Sequence, residues 1–368
     1  MGPLAAGEPV ARRANGRYTI EFSRPAVKHV AAGIRHYGIV MRLALVLALG
    51  AVGLAQTPPQ QKVPDDLPTI KVDVDVVNIL AAVRDKKGAL VPNLEQADFT
   101  VLEDGKPQSI KYFTRETDLP LTIGLLIDVS ASQGNLIQIE RDAAAQFFTQ
   151  VLRKKDEAFL LSFGEEAELL QDYTNSAKLL IAGMRDLRVS SGVGGLGPGP
   201  VPTAGQPRGT VLYDAVYLAA HEKLRGEVGR KVIVVITDGV DEGSRLPISE
   251  ALAEAQKADA VIYSIEYEDP AFYSRGFGIS LGGGAGASAL HKLSDDTGGH
   301  VYRVDRKNTL DVVFKELQDE MRSQYSIGYT PLNDTKDGSY RKLDIKLSNK
   351  DLKAQARKGY YAIKTETK

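Results

Sequence analysis

The sequence predicts a doubly wound α/β domain with a mostly parallel sheet, inserted into a β-sandwich built from its own N- and C-terminal flanks. Three observations carry this. Between residues 118 and 323, short runs rich in Val, Ile and Leu alternate with segments of helical period, the pattern of strand–helix units around a parallel sheet. On either side, residues 69–117 and 324–364 are strand-like throughout, and each flank is too short to make a stable sandwich alone. Finally, the direction of the chain brings both ends of the α/β segment to one edge.

The elements follow in order. In the first flank, IKVDVDVVNILAAVRD alternates and DFTVLEDGKPQSIKYF reads as a hairpin, because Asp104-Gly105 suits a two-residue turn with positive φ at both positions. LTIGLLI is a buried strand, 136–152 an amphipathic helix, EAFLLSF a strand and AELLQDY its hairpin partner. SAKLLIAGMRDL is a helix, followed by the Gly/Pro-rich stretch VSSGVGGLGPGPVPTAGQPRG. TVLYDAVYLAAHEKL, KVIVVI, ISEALAEAQKA and AVIYSIEY read as helix, strand, helix and strand; a second glycine-rich stretch spans 269–286. A short helix, the strand HVYRV and a helix over 309–323 complete the unit. QYSIGYT, YRKLDIKLS and KAQARKGYYAI return to strands, so the two flanks together supply about seven.

Composition is that of a folded chain. Of 368 residues, 43% are hydrophobic and 25% charged, so a sizeable core can form. With no cysteine, disulfides, thiolate metal sites and cysteine nucleophiles are excluded. Met41-Arg42 followed by LALVLALGAVGLAQT has the basic region, apolar run and small-x-small ending of a cleaved export signal, and the run is shorter than the ~20 residues a bilayer span needs. We expect 41–55 to be a signal peptide, 56–68 a Pro/Gln-rich linker, and 1–40 an extension upstream of the true start at Met41. The mature chain would be periplasmic or secreted, with no integral membrane span. Residues 1–55 hold seven of the 46 basic residues and two of the 47 acidic ones, leaving 39 against 45. That balance gives no support to a nucleic-acid partner.

Ligands of doubly wound sheets bind outside the carboxyl ends of the strands. Calling that edge the top, the trace places three polar clusters there: Asp128-Val129-Ser130-Ala131-Ser132, Gly209-Thr210 and Thr237-Asp238-Gly239. They offer carboxylates and hydroxyls without histidine or sulfur, a hard-oxygen set suited to Mg²⁺, Mn²⁺ or Ca²⁺. In an extended loop, Asp128, Ser130 and Ser132 at alternate positions face one point. Taken singly each residue has a plainer reading. Ser132 and Thr210 are good helix caps, Asp128 ends a strand as turn residues do, and Asp-Gly marks turns. Their joint occurrence on one edge favours the metal, with capping as an added duty of Ser132.

Enzyme readings fare worse. G-x-S-x-G is absent, so Ser130 is not on a nucleophile elbow. Beyond the signal, the chain has only His221, His291 and His300, and none is placed as a base for Ser130. There is no G-x-x-x-x-G-K-[ST] loop and no dinucleotide fingerprint, so no nucleotide is expected.

Asp128-x-Ser130-x-Ser132 with Thr210 and Asp238 resembles the metal-ion-dependent adhesion site (MIDAS) of von Willebrand factor type A (VWA) domains, and the resemblance covers roughly 119–323. With DFTVLEDGKPQSI before it and SQYSIGYTP and RKGYYA after it, the whole chain is similar to an exported bacterial family of such domains found notably in Acidobacteria. The resemblance implies that Ser130, Ser132 and, with ligand bound, Thr210 hold the ion through hydroxyls, with Asp128 and Asp238 close behind. Ala131 departs from the common glycine between the serines. Mg²⁺ is the expected ion, with Mn²⁺ and Ca²⁺ as alternatives.

Neutral hydroxyls leave much of a 2+ charge uncompensated, so an Asp or Glu carboxylate of a partner protein is the expected ligand. Tyr273, Arg275 and Phe277 are candidate anchors at the rim. The expected function is an exported, non-enzymatic adhesion or assembly module. The alternatives are a cell-envelope scaffold whose metal is only structural, and a metal-dependent hydrolase.

Overall fold

The structure is a computed structural model that describes residues 9–14, 17–22, 76–116, 119–189, 209–268 and 283–363, the first two segments as backbone only. The expected signal peptide (41–55), the linker (56–68), most of both glycine-rich stretches, and Tyr273, Arg275 and Phe277 lie outside the described residues.

Pro9–Ala14 (β1) and Arg17–Phe22 (β2) form an antiparallel hairpin that adds to the edge of the main sheet. The first flank supplies Val77–Arg84 (β3), Phe99–Glu103 (β4), Lys106–Gln108 (β5) and Ile110–Glu116 (β6). The α/β segment begins with Leu121–Asp128 (β7), Ile137–Val151 (α1), Glu157–Phe163 (β8), Ala167–Thr174 (β9) and Ala177–Gly183 (α2). It continues with Leu212–Leu218 (α3), Arg230–Thr237 (β10), Ile248–Lys257 (α4), Ala260–Glu266 (β11), Gly283–Thr297 (α5), Val301–Arg303 (β12) and Leu310–Arg322 (α6). Gln324–Tyr329 (β13), Tyr340–Leu347 (β14), Lys353–Ala356 (β15) and Gly359–Tyr361 (β16) close the chain.

The main sheet has the order β1-β2-β9-β8-β7-β10-β11-β12. Five neighbouring strands, from β8 to β12, run parallel, and β9 turns back as the predicted hairpin partner of β8. Strand β7 is buried at every position, which is what a central parallel strand covered on both faces requires. Its side chains alternate between two cores. Ile123, Leu125 and Ile127 pack under α1, α2 and α6, whereas Leu126 packs under α3, α4 and α5. Helices on both faces make the sheet doubly wound, as expected.

Strands from the two flanks do combine. One sheet has the order β15-β3-β13-β6 and the other β16-β14-β4-β5. Ile79, Tyr325 and Ile327 from the first share a core with Phe99, Val101 and Leu343 from the second. Strands β6 and β13 pair antiparallel, with Glu116 opposite Gln324. The α/β segment is therefore entered and left side by side. Asp156 holds this lower edge: its carboxylate accepts the Leu121 amide at 2.9 Å and pairs with Arg322, the last residue of α6, at 2.5 Å.

Two flank expectations need correction. The Asp104-Gly105 hairpin forms, with φ of 47° and 79° at its turn, but it ends at Gln108. The chain then crosses to the facing sheet, where β6 finds β13. Likewise KAQARKGYYAI is two strands in different sheets, which makes eight sandwich strands among the described residues. Arg357 interrupts it because its guanidinium is drawn to Asp259 and to the Asn78 carbonyl, each at 2.5 Å.

Gly124 of β7 lies opposite Phe159 of β8, and a Cβ there would meet the Phe159 ring at 2.3 Å. The ring is wholly buried, so it has no free direction in which to yield. Gly124→Ala is expected to cost about 1–3 kcal/mol by overpacking, read as a lower urea midpoint at unchanged m-value.

Candidate metal centre

Strands β7 and β10 run in register, Ile127 beside Ile236, so Asp128 and Thr237 emerge together at the carboxyl edge. The Thr237 hydroxyl donates to Asp128 Oδ2 at 2.6 Å and accepts the Gly239 amide at 3.0 Å. Asp128 Oδ1 accepts the Ser130 amide at 2.8 Å, which turns the chain sharply after the strand. Ser130 Oγ and Ser132 Oγ are 3.0 Å apart, and Ser132 Oγ donates to Asp238 Oδ2 at 2.7 Å. Gly239 has φ of 82°, and a Cβ there would lie 2.6 Å from the Gly286 carbonyl. Only glycine fits both the left-handed backbone and the approach of α5.

Four of the five expected residues, Asp128, Ser130, Ser132 and Asp238, are thus linked through hydrogen bonds and close contacts. The route differs from the extended alternation read from the sequence. Residues Ala131–Gln133 form a single 3-10 turn, and that turn swings Ser132 toward Asp238. The capping duty expected of Ser132 is also corrected. Helix α1 starts at Ile137 with Leu136 at its N-cap and no side-chain cap.

Thr210 reaches the same edge by its backbone. The amide of Val211 donates to the Gly164 carbonyl at 2.9 Å, next to Phe163, which pairs with Asp128. The Thr210 carbonyl accepts the amides of Glu242 and Gly243 at 3.1 and 3.0 Å. Asp214 at the start of α3 accepts the amides of Arg245 and Leu246, each at 3.0 Å, and so fastens the two loops together. Among the described residues no hydrogen bond joins the Thr210 hydroxyl to the other four.

Sequence reasoning missed the roles of three residues. Thr237 orients Asp128, and its place at the end of the strand beside β7 was the available signal. Gln133 is fully buried and donates to the Tyr267 carbonyl at 3.1 Å, tying the serine loop to the end of β11. Glu140 of α1 is also fully buried; it shares the inward helical stripe of Ile137, Ala144, Phe147 and Val151, and that period was the available signal.

Burial, and then the neighbouring Asp238, push the Asp128 carboxyl up to about 7, against the hydrogen bonds from Thr237 and Ser130. The two carboxylates are 0% and 3% exposed. This excess of buried negative charge, faced by two hydroxyls, fits a hard divalent cation. Among the described residues no three His, Cys, Asp or Glu side chains group to hold a metal, so at this edge the serine hydroxyls would have to complete the donor set.

In chelator-treated protein, Asp128 is expected to titrate near 7 by carboxyl ¹³C NMR, and Asp238→Asn to lower that value. The folded value lies above the ordinary 3.8. Its contribution to stability is therefore full below 3.8 and is lost as the pH rises toward 7.

No family model matches the chain. Among solved structures similar in fold are VWA domains. The SpRpn10 VWA domain is 14% identical, with 54% of this chain and 95% of that chain covered and a TM-score of 0.35. The protein BatB from Bacteroides thetaiotaomicron is 17% identical, covering 55% and 97%, with a TM-score of 0.39. Proximal thread matrix protein 1 from the mussel byssus, with a zinc-occupied MIDAS motif, is 14% identical, covering 60% and 49%, with a TM-score of 0.40. At these identities and scores, none of the likenesses says what this chain binds.

Proposed function

We propose that the chain is a metal-dependent protein-binding module whose top edge captures an acidic side chain of a partner. The carrying observation is the convergence of Ser130 and Ser132 on two buried carboxylates that hold more negative charge than their surroundings offset. Ser130 and Ser132 would hold the ion, with Asp128 and Asp238 behind them and Thr210 beside. A divalent cation there, Mg²⁺ in our reading, supplies Lewis-acid attraction for an anionic oxygen.

The rest is the work of this chain's residues. Asp128 fixes the Ser130 amide and Asp238 fixes the Ser132 hydroxyl, so the loop is ordered before a ligand arrives. Such pre-organisation lowers the entropic cost of association.

A binding role is favoured over an enzyme because, among the described residues, no histidine joins the serines. His221 faces Glu254 on α4 at 3.0 Å, His291 faces Asp295 within α5, and His300 packs edge-on against Tyr302. We place the protein outside the cytoplasm on the strength of residues 41–55. Among the described residues no helix is long and apolar enough to cross a membrane.

The test has two arms. Mn²⁺ titration followed by electron paramagnetic resonance is expected to give one bound ion per chain, lost in Asp128→Ala and in the double variant Ser130→Ala/Ser132→Ala. A protein captured from envelope extract in Mg²⁺ is expected to be released by chelator. A partner retained equally by Asp128→Ala and in EDTA would overturn the reading.

A further inference from the structure

Between the first three turns of α1, the first turn of α6 and the carboxyl ends of β11 and β12 lies a groove of about 920 Å³. Its floor is aliphatic: Leu136 and Leu310 are buried there, while Ile139 is 50% exposed at the rim. Its walls are acidic. Asp142 comes from α1, Glu266 and Glu268 from the end of β11, and Asp311 from the first turn of α6; Asp305 lies between β12 and α6.

Two arginines line the same groove, Arg303 and Arg306. The Arg303 guanidinium is shared, 3.6 Å from Glu266 and 3.9 Å from Glu268. Five carboxylates against two guanidiniums leave the lining net negative. Glu268 registers the excess: burial, then Glu266, holds its carboxyl above the ordinary glutamate range despite Arg303. Tyr267 lines the groove too, and its carbonyl is the one bonded by Gln133 of the serine loop.

We propose that this groove docks a basic–aliphatic segment of a protein partner, with Leu- or Ile-type side chains on the floor and an Arg or Lys among the carboxylates. The volume suits a few side chains. Long cationic side chains suit the mixture, since their methylene stems cover apolar surface while the head reaches the wall. The negative lining also selects against acidic segments, because like charges brought together repel. The inference rests on the groove's own shape and charge and goes beyond the metal reading, so docking there persists when the metal is removed.

The probe is a short, fluorescein-labelled amphipathic Leu/Lys peptide, titrated by anisotropy in EDTA at physiological ionic strength. Leu/Glu and Ser/Lys peptides of the same length serve as controls. Saturable binding of the Leu/Lys peptide is expected, with the dissociation constant rising at least tenfold in Ile139→Ser and in Asp311→Lys. Asp344→Lys, the same charge change at an exposed position of β14, is expected to leave it unchanged. Asp142→Lys repeats the charge reversal from α1, should Asp311→Lys weaken the first turn of α6. Three results would each overturn the proposal: no saturable binding, equal weakening by Asp344→Lys, or Ser/Lys binding as tightly as Leu/Lys. Loss of Mn²⁺ binding in Asp128→Ala bears on the metal reading alone.

Discussion

Replacing Glu320 by alanine is expected to lower the unfolding free energy by about 3 kcal/mol. Helix α6 buries Leu310, Val313, Phe314, Leu317 and Met321 along one stripe, and Glu320 falls on that same stripe with no exposure. Its carboxylate accepts the Tyr302 hydroxyl at 2.9 Å and pairs with the Arg84 guanidinium. Arg84 belongs to β3 of the sandwich and also donates to the Gly88 carbonyl at 2.6 Å. Removing Glu320 leaves a guanidinium only 22% exposed without its counter-charge and a buried phenol without its acceptor.

Loss of one partner from a buried pair typically costs about 3–5 kcal/mol; the partial exposure of Arg84 puts the expectation at the lower end. Replacing both charges, as in Arg84→Met with Glu320→Leu, is expected to restore most of the stability, because it removes the desolvation cost together with the attraction. Urea unfolding of Arg84→Met, Glu320→Leu and the double variant gives the coupling. A coupling near zero would mean that the pair does not hold the sandwich to α6.

Glu140→Leu is expected to act the other way, raising stability by about 1–3 kcal/mol at neutral pH. Glu140 is fully buried in the first turn of α1, and among the described residues neither carboxyl oxygen has a hydrogen-bond partner. Burial, and then the charge on Asp128, raises its carboxyl well above the ordinary 4.5. A carboxyl with a raised folded value contributes fully at low pH, and its contribution is lost as the pH rises above the ordinary value of 4.5. While Glu140 stays protonated in the folded chain, wild type loses up to about 1.4 kcal/mol per pH unit that Glu140→Leu does not. Urea unfolding of both proteins in chelator at several pH values is expected to give curves that diverge upward from pH about 4.5. Parallel curves would show Glu140 ionised and compensated in the folded state.

Much of the architecture was legible in the sequence because hydrophobic period is a local quantity. LTIGLLI, KVIVVI and AVIYSIEY read as strands, and they are the core of the sheet. The pairing of the flanks followed from chain direction, and β6 beside β13 is its physical form. What local pattern could not show was where a strand changes sheets. SIKYF continues the hairpin in sequence, yet it pairs across the sandwich. Arg357 divides the last strand because of Asp259, nearly a hundred positions away.

The candidate site divides in the same manner. The residue types Asp128, Ser130, Ser132, Thr210 and Asp238, and their order toward one edge, came from the sequence alone, since strand polarity and the count of crossings are set by the chain. The tertiary structure decided how they meet. It replaced an extended loop by a 3-10 turn at Ala131–Gln133, made Thr237 the support of Asp128, and placed Glu140 inside. It also assembled the acidic groove from two helices and two strand ends. Periodicity determines which residues are buried, but the charge a buried group meets depends on through-space neighbours, and those exist only once the chain has folded.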